Sequence, residues 1–201
     1  MVIIGLTGNI ACGKSLVAKM LAQLGAEVLD ADNVVHELMA HDPEIQQRIV
    51  EEFGKEILGA DGQIDRGKLG AIVFADPVAL AKLESILHPP VGERIEKAIR
   101  ESRAPGFVIE AIKLIEAGLY KRCDSVWVVT CRPEQQLERL VRDRGLSPEE
   151  ASIRIKAQPP AEEKVKFADV VIENSGTIEE TREQVKREWE RLLELSKSKR
   201  S

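Results

Sequence analysis

Cysteine is scarce in these 201 residues, and its placement is unpaired. Cys12, Cys123 and Cys131 have no disulfide-framework or metal-ligand spacing, which excludes a stapled secreted scaffold and a thiolate metal site. They read as free thiols in a reducing cytosol, with Cys12 as a small loop residue. His36, His41 and His88 also lack metal-ligand spacing. Positive charge is not in excess: 29 Lys and Arg face 34 Asp and Glu, a net charge of -5. That argues against a broad nucleic-acid surface and leaves room only for a local basic pocket. No apolar run approaches the roughly 20 residues of a membrane span. The chain enters its first predicted strand at once, so no secretion signal is expected and a cytoplasmic location is. No internal repeat or domain linker is visible. Neither an Asn-Lys-x-Asp nor an Asp-x-x-Gly motif occurs, which counts against a regulatory GTPase. The composition, 43% hydrophobic and 31% charged, is globular.

What the chain does have is concentrated near its start. Val2-Ile3-Ile4-Gly5-Leu6-Thr7 is a short branched run that reads as a buried strand. It leads directly into Gly8-Asn9-Ile10-Ala11-Cys12-Gly13-Lys14-Ser15, the pattern G-x-x-x-x-G-K-S, followed by Leu16. Glycines let such a loop curl with its N–H groups inward, forming a concave anion site. A helix beginning near Lys14 adds its N-terminal donors to that site. Lys14, with no reason to be buried in a core, is expected at the outer phosphates of a bound ligand, and Ser15 on Mg2+.

After Ser15, the spacing of Val17, Met20, Leu21 and Leu24 predicts a helix ended by Gly25. A short strand over Ala26 to Leu29 follows, ending in Asp30-Ala31-Asp32. Helix signals then dominate up to residue 103, with starts at Asp42-Pro43, Asp65-Arg66 and Asp76-Pro77. Pro89 and Pro90 are expected to break the third of these, with a new helix over Val91 to Ser102. This much helix predicts a helical subdomain over the sheet edge. Further strands are expected at Phe107 to Ile112, Ser125 to Cys131 and Asp169 to Glu173. Helices are expected from Pro133 to Arg144, from the Ser147 cap onward to an interruption at Pro159-Pro160, and from Thr177 to Leu195. The tail from Ser196 reads as polar and frayed. Strands alternating with helices imply a five-stranded parallel sheet in an α/β fold. Ligands of such sheets sit beyond the strands' carboxyl ends. That rule gathers the glycine loop, Asp30, Asp32, Glu110 and the segment after Cys131.

Alternation in an extended chain would put Asp30 and Asp32 on one side. One carboxylate could contact an attacking hydroxyl while the other orients magnesium or its waters; the alternative for either is helix capping. Glu110 is either a magnesium-side acid or a strand-end carboxylate facing water. Lys113 and Glu116 follow in a predicted loop within reach of a substrate. His36, four residues after Asp32, would line the same helix face. Arg139, Arg142, Arg144, Arg154 and Lys156 flank the Gly145 break. Arginines on a closing segment stabilise the charge that develops in phosphoryl transfer. The alternative for such a charge run is a solvated helix face, the reading taken here for Arg144 and Lys156.

These stretches together resemble the dephospho-CoA kinase family nearly end to end. The matching residues are Gly5 to Gly8 with Gly13-Lys14-Ser15, Asp30-Ala31-Asp32, Asp65-Arg66 with Leu69, and Leu87-His88-Pro89. They continue with Arg139, Arg154 with Gln158, Lys164, Ala168-Asp169, Val171-Ile172 and Asn174-Ser175-Gly176. The resemblance implies a three-layer α/β/α P-loop kinase core forming one domain over residues 1–201. Within it, a helical substrate-binding region over 33–105 and a lid over 139–168 are expected. It implies transfer of the γ-phosphoryl of ATP to the ribose 3′-hydroxyl of dephospho-CoA, giving CoA and ADP, with Mg2+ as cofactor. By the same resemblance Asp32 is the base, with Lys14, Arg139 and Arg154 as further catalytic residues. Asn174 belongs to the segment flanking the adenine of ATP. Asp30, His36, Arg66, His88 and Lys113 fall on the substrate side. Ser15, with Asp32 or Glu110 acting through water, would serve the metal. The implied partners are small molecules, with no nucleic acid, no membrane, and a monomer or small homo-oligomer. Three departures stand out. Leu16 replaces a common threonine. Glu110-Ala111-Ile112-Lys113-Leu114-Ile115-Glu116 replaces a common Asp-x-Pro-Leu-Leu. Asp143 stands where a second lid arginine is frequent, with Arg142 the expected substitute.

Overall fold

The computed structural model describes residues 1–198, which separate into two compact units. One contains Met1–Asp30 and the chain from Ser102 onward; the other is Ala31–Glu101.

The first unit is built on five parallel strands, β1 (Val2–Gly8), β2 (Glu27–Asp30), β3 (Gly106–Glu110), β4 (Ser125–Thr130) and β5 (Val170–Glu173), in the order β2-β3-β1-β4-β5. β3 and β4 are buried almost throughout, as a parallel sheet covered on both faces requires. β1 is central, and the chain leaves it on one side before β2 and returns to its other side at β4. The carboxyl end of β1 is therefore the switch point where such sheets bind ligands.

On one face, Ile4, Leu6, Val108, Trp127, Val129 and Ile172 meet Val17, Met20 and Leu21 of α1 (Lys14–Gln23) and Val185 and Trp189 of α9 (Ile178–Ser198). Gly106 is required there, because an added Cβ would collide with the Trp189 indole. α1 ends as the sequence predicts. Gly25 takes φ +96°, Ala26 N–H reaches Leu21 O at 3.0 Å, and Gly25 N–H reaches Ala22 O at 3.0 Å. The other face is covered in part by Leu114, Cys123 and α8 (Ala161–Val165).

Beyond β4, α6 (Pro133–Arg144) and α7 (Pro148–Lys156) pack on each other. Ser147 caps α7 in a reciprocal box with Glu150, at 3.2 Å and 2.9 Å. Ser196 to Ser198 continue α9, where a frayed tail is expected; Lys199 to Ser201 lie outside the described residues.

The helical unit holds α2 (Ala31–His41), α3 (Pro43–Phe53), α4 (Arg66–Val73) and α5 (Pro77–Glu101) around Met39, Ile45, Ile49, Leu69, Val73 and Leu83. Asp42 and Asp65 cap α3 and α4 as their sequence positions predict. The break expected at Pro89-Pro90 does not occur: α5 runs through both prolines. An interior proline costs about 3 kcal/mol or more. Leu83, Leu87, Val91 and Ile95, four residues apart, form one buried stripe across the prolines. Burying each is worth roughly 1.5–3 kcal/mol, so packing outweighs the lost backbone bonds.

Candidate active site

The loop between β1 and α1 is held open by its own carbonyls. Ile10 O accepts from Gln136 Nε2 at 2.9 Å, Ala11 O from Arg139 at 3.2 Å and Cys12 O from Asn174 Nδ2 at 2.8 Å. The Ile10 N–H donates to Gln158 Oε1 at 2.7 Å, and Asn9 Nδ2 to Pro159 O at 2.9 Å. Ala11 takes φ +59° and Gly13 φ +94°, and a Cβ at Gly13 would strike the Asn174 amide. With the carbonyls drawn outward, the N–H groups of Gly13, Lys14 and Ser15 have no acceptor among the described residues. Three such donors at a helix N-terminus form an anion site. A cavity of about 340 Å³ lies against this loop, bordered by Ile112, Arg139, Asp143, Arg144 and Gln158.

Lys14 does not extend into solvent, as sequence reasoning expects. Its side chain is 13% exposed, and Nζ lies 2.7 Å from Glu110 Oε1. The same oxygen accepts from Ser15 Oγ at 3.0 Å, and Glu110 is 5% exposed. Glu110 therefore does not face water: it is a buried carboxylate turned onto the loop. Ser15 Oγ and Glu110 Oε1 form an oxygen pair suited to a hard cation that keeps most of its waters and takes its other oxygens from phosphates. The residues present therefore fit magnesium.

Asp30 ends β2 in register with Glu110, but Asp32 lies in the first turn of α2. The alternation argument for those two carboxylates therefore fails, since the chain is already helical at Ala31. Asp32 is an in-helix residue there, not a residue preceding the helix. His36, one turn further along α2, meets the Arg66 guanidinium at 2.8 Å. His88 is exposed on α5, directly before the two prolines, and Lys113 is exposed in the turns after β3.

Arg139 and Asn174 turn inward. Arg139 also donates to Asn174 O at 2.8 Å, and Asn174 Oδ1 accepts from Thr181 at 2.9 Å. Both side chains hold the loop. Arg154 is exposed on α7 and makes no hydrogen bond or ion pair with a described residue. Arg142 pairs with Asp143 at 2.7 Å and with Glu138 at 3.3 Å, so it is engaged on the surface. Arg144 is exposed at the end of α6, as expected, and also borders the loop cavity. Gln136 is the residue that sequence reasoning missed; Gln158 and Lys164 entered it only as matches to the family, with no role assigned. Lys164 is 4% exposed and ties Glu116, at 3.0 Å, to Ile112 O, at 2.6 Å. Gln136 stands three residues before Arg139 on α6, the only local sign that it shares the arginine's face.

The sequence model of dephospho-CoA kinase matches residues 2–180. The chain belongs to the dephospho-CoA kinase family. A dephospho-CoA kinase of Carboxydothermus hydrogenoformans is 48% identical over 186 residues, covering 91% of this chain and 90% of that one. Among solved structures, TT1252 of Thermus thermophilus superposes with a TM-score of 0.83 at 34% identity, covering 95% and 97% of the two chains. A dephospho-CoA kinase of Campylobacter jejuni superposes with a TM-score of 0.69 at 28% identity, covering 96% and 98%. The P-loop kinase fold expected for this family is the one described above. Among the described residues, no helix is long and apolar enough to cross a membrane.

Proposed function

We propose that the chain transfers the γ-phosphoryl of ATP to the ribose 3′-hydroxyl of dephospho-CoA, yielding CoA and ADP in the last step of coenzyme A synthesis. The observation that carries this reading is the cradle of free loop N–H groups beside Lys14 and Glu110, in a chain of this family. The N–H groups of Gly13, Lys14 and Ser15 receive phosphate oxygens. Lys14 exchanges the Glu110 carboxylate for the outer phosphates, where its charge opposes the charge that develops in transfer. Ser15, with Glu110 or Asp32 acting through water, would hold magnesium, which would neutralise phosphate charge.

Asp32 accepts the proton of the 3′-hydroxyl as its oxygen attacks the γ-phosphorus. The bond from that phosphorus to the β–γ bridging oxygen breaks, and ADP leaves with the electron pair. Arg154, on the expected lid over residues 139–168, stabilises the oxygens of the group in flight. Arg139 and Asn174 act by positioning the loop. Asp30, His36, Arg66, His88 and Lys113 serve the acceptor substrate, and the helical region over 33–105 is read as its binding region. A cytoplasmic location suits a biosynthetic reaction on small soluble substrates.

A coupled assay for ADP tests the proposal. Turnover is expected with ATP, magnesium and dephospho-CoA together, and not when any one is omitted. ADP release indifferent to dephospho-CoA would overturn it.

A further inference from the structure

Gln158 stands where the chain leaving α7 crosses the nucleotide loop, and the reaction proposed above gives it no role. Its Oε1 accepts from the Ile10 N–H at 2.7 Å, and the next carbonyl, Pro159 O, accepts from Asn9 Nδ2 at 2.9 Å. An N–H has only a proton to offer, so the amide oxygen must be the atom that meets Ile10. That fixes which way the amide is turned and leaves Nε2 as the outer atom. Gln158 is half-buried and borders the loop cavity, and its Nε2 has no acceptor among the described residues.

The other side-chain donors on this cavity are committed or loose. Lys14 and Ser15 both face Glu110. Arg139 is spent on Ala11 O and Asn174 O, and Asn9 Nδ2 on Pro159 O. Arg144 is exposed at the end of α6. Gln158 Nε2 combines a fixed position with two free N–H bonds.

We infer that Gln158 Nε2 donates to a γ-phosphoryl oxygen of ATP while Oε1 stays on the Ile10 N–H, so that this residue distinguishes ATP from ADP.

The inference rests on the proposed use of ATP and assigns a further residue to the same site. Ile10 lies on the limb of the loop that leaves β1, and Gly13 on the limb that enters α1. A phosphate seated on the N–H groups of Gly13, Lys14 and Ser15 has the Ile10–Gln158 wall across from it. The next phosphate outward is the one that reaches that wall. The γ-phosphoryl also carries three non-bridging oxygens against two on each inner phosphate, so it has acceptors to spare for a donor opposite Lys14.

The amide is held before any charge arrives. Pro159 and Pro160 follow it, with rings that fix φ near about −65°. Beyond them, Lys164 of α8 is 4% exposed and anchored to Glu116 at 3.0 Å and Ile112 O at 2.6 Å. Thr7 Oγ1, just before the loop, donates to the same carbonyl at 3.1 Å. Gln158 therefore lies between two anchors, the loop and α8. A donor preorganised in this way costs no reorganisation when charge develops.

The test uses the full chain and measures ATP and ADP binding by titration without acceptor, then turnover. Gln158→Glu keeps an oxygen for the Ile10 N–H but removes the donor. Its affinity for ATP is expected to fall on the order of tenfold or more, the worth of a hydrogen bond to a charged group. Its ADP affinity and its Tm without nucleotide are expected to stay nearly unchanged. Turnover is expected to fall on the order of 10²–10³-fold. Gln158→Met, which removes both contacts, is expected to weaken ADP as well and ATP further. An ATP-over-ADP preference equal to the parent's in both variants would overturn the inference and leave Gln158 as a brace for the loop. A parent chain that does not bind ATP would instead defeat the proposed reaction, so the two failures are distinguishable.

Discussion

Glu110 sets the electrostatics of the loop. Its carboxylate is buried and shared between Lys14 and Ser15, so the lysine that is to meet phosphate is first held by an internal anion. This changes what a Lys14 substitution does. Lys14→Met leaves a buried carboxylate without its cation, which typically costs roughly 3–5 kcal/mol. Such a variant should therefore be inactive and also less stable in thermal denaturation. Adding Glu110→Gln should restore most of the lost Tm without restoring turnover. A double variant as unstable as the single one would show that the pair does not govern stability there. Asp32 poses a question of chemistry. Asp32→Asn keeps the side chain's size and polarity but cannot take a proton. Turnover should fall on the order of 10²–10⁴-fold, with ATP affinity nearly unchanged. A stable Asp32→Asn protein with near-full activity would transfer the role of base to Asp30 or Glu110.

At the scale of elements, the segment from α6 through Pro159 contacts the loop at both its ends. Gln136 and Arg139 hold the Ile10 and Ala11 carbonyls, and Gln158 and Pro159 hold Ile10 and Asn9. Arg154 is the exposed cation on α7 within that segment. Arg154→Ala should lower turnover on the order of 10²–10³-fold, the usual worth of one donor aimed at developing charge. ATP affinity, measured by titration, should change much less. Equal effects on both would make Arg154 a ground-state anchor. Elements with a local chemical signature were legible before any coordinates. The Asp42, Asp65 and Ser147 caps, the Gly25 stop and the Gly145 break are instances, because each is settled within four or five residues. Pro89-Pro90 misled, because the deciding term is the buried stripe from Leu83 to Ile95, whose burial depends on neighbours remote in sequence. The Asp30-Ala31-Asp32 reading failed at a strand–helix boundary, where a one-residue shift changes the period that governs side-chain direction. Glu110's orientation depends on strand order, which no local pattern encodes.

For the whole molecule, parallel strands ordered β2-β3-β1-β4-β5 bring the ends of β1, β3 and β4 side by side. A loop and the carboxylate turned onto it thus come from separated stretches of chain. The family's reaction requires that this site discriminate among hydroxyl acceptors as well as bind ATP. The most direct measurement is a competition with ATP and magnesium in which dephospho-CoA, adenosine and adenosine monophosphate are supplied together. Products are then identified by mass and by the position of the new phosphate. The account predicts CoA as the dominant product, phosphorylated at the ribose 3′-oxygen, with little turnover of the other two. Preferential phosphorylation of adenosine or the monophosphate, or a phosphate placed elsewhere on dephospho-CoA, would contradict it.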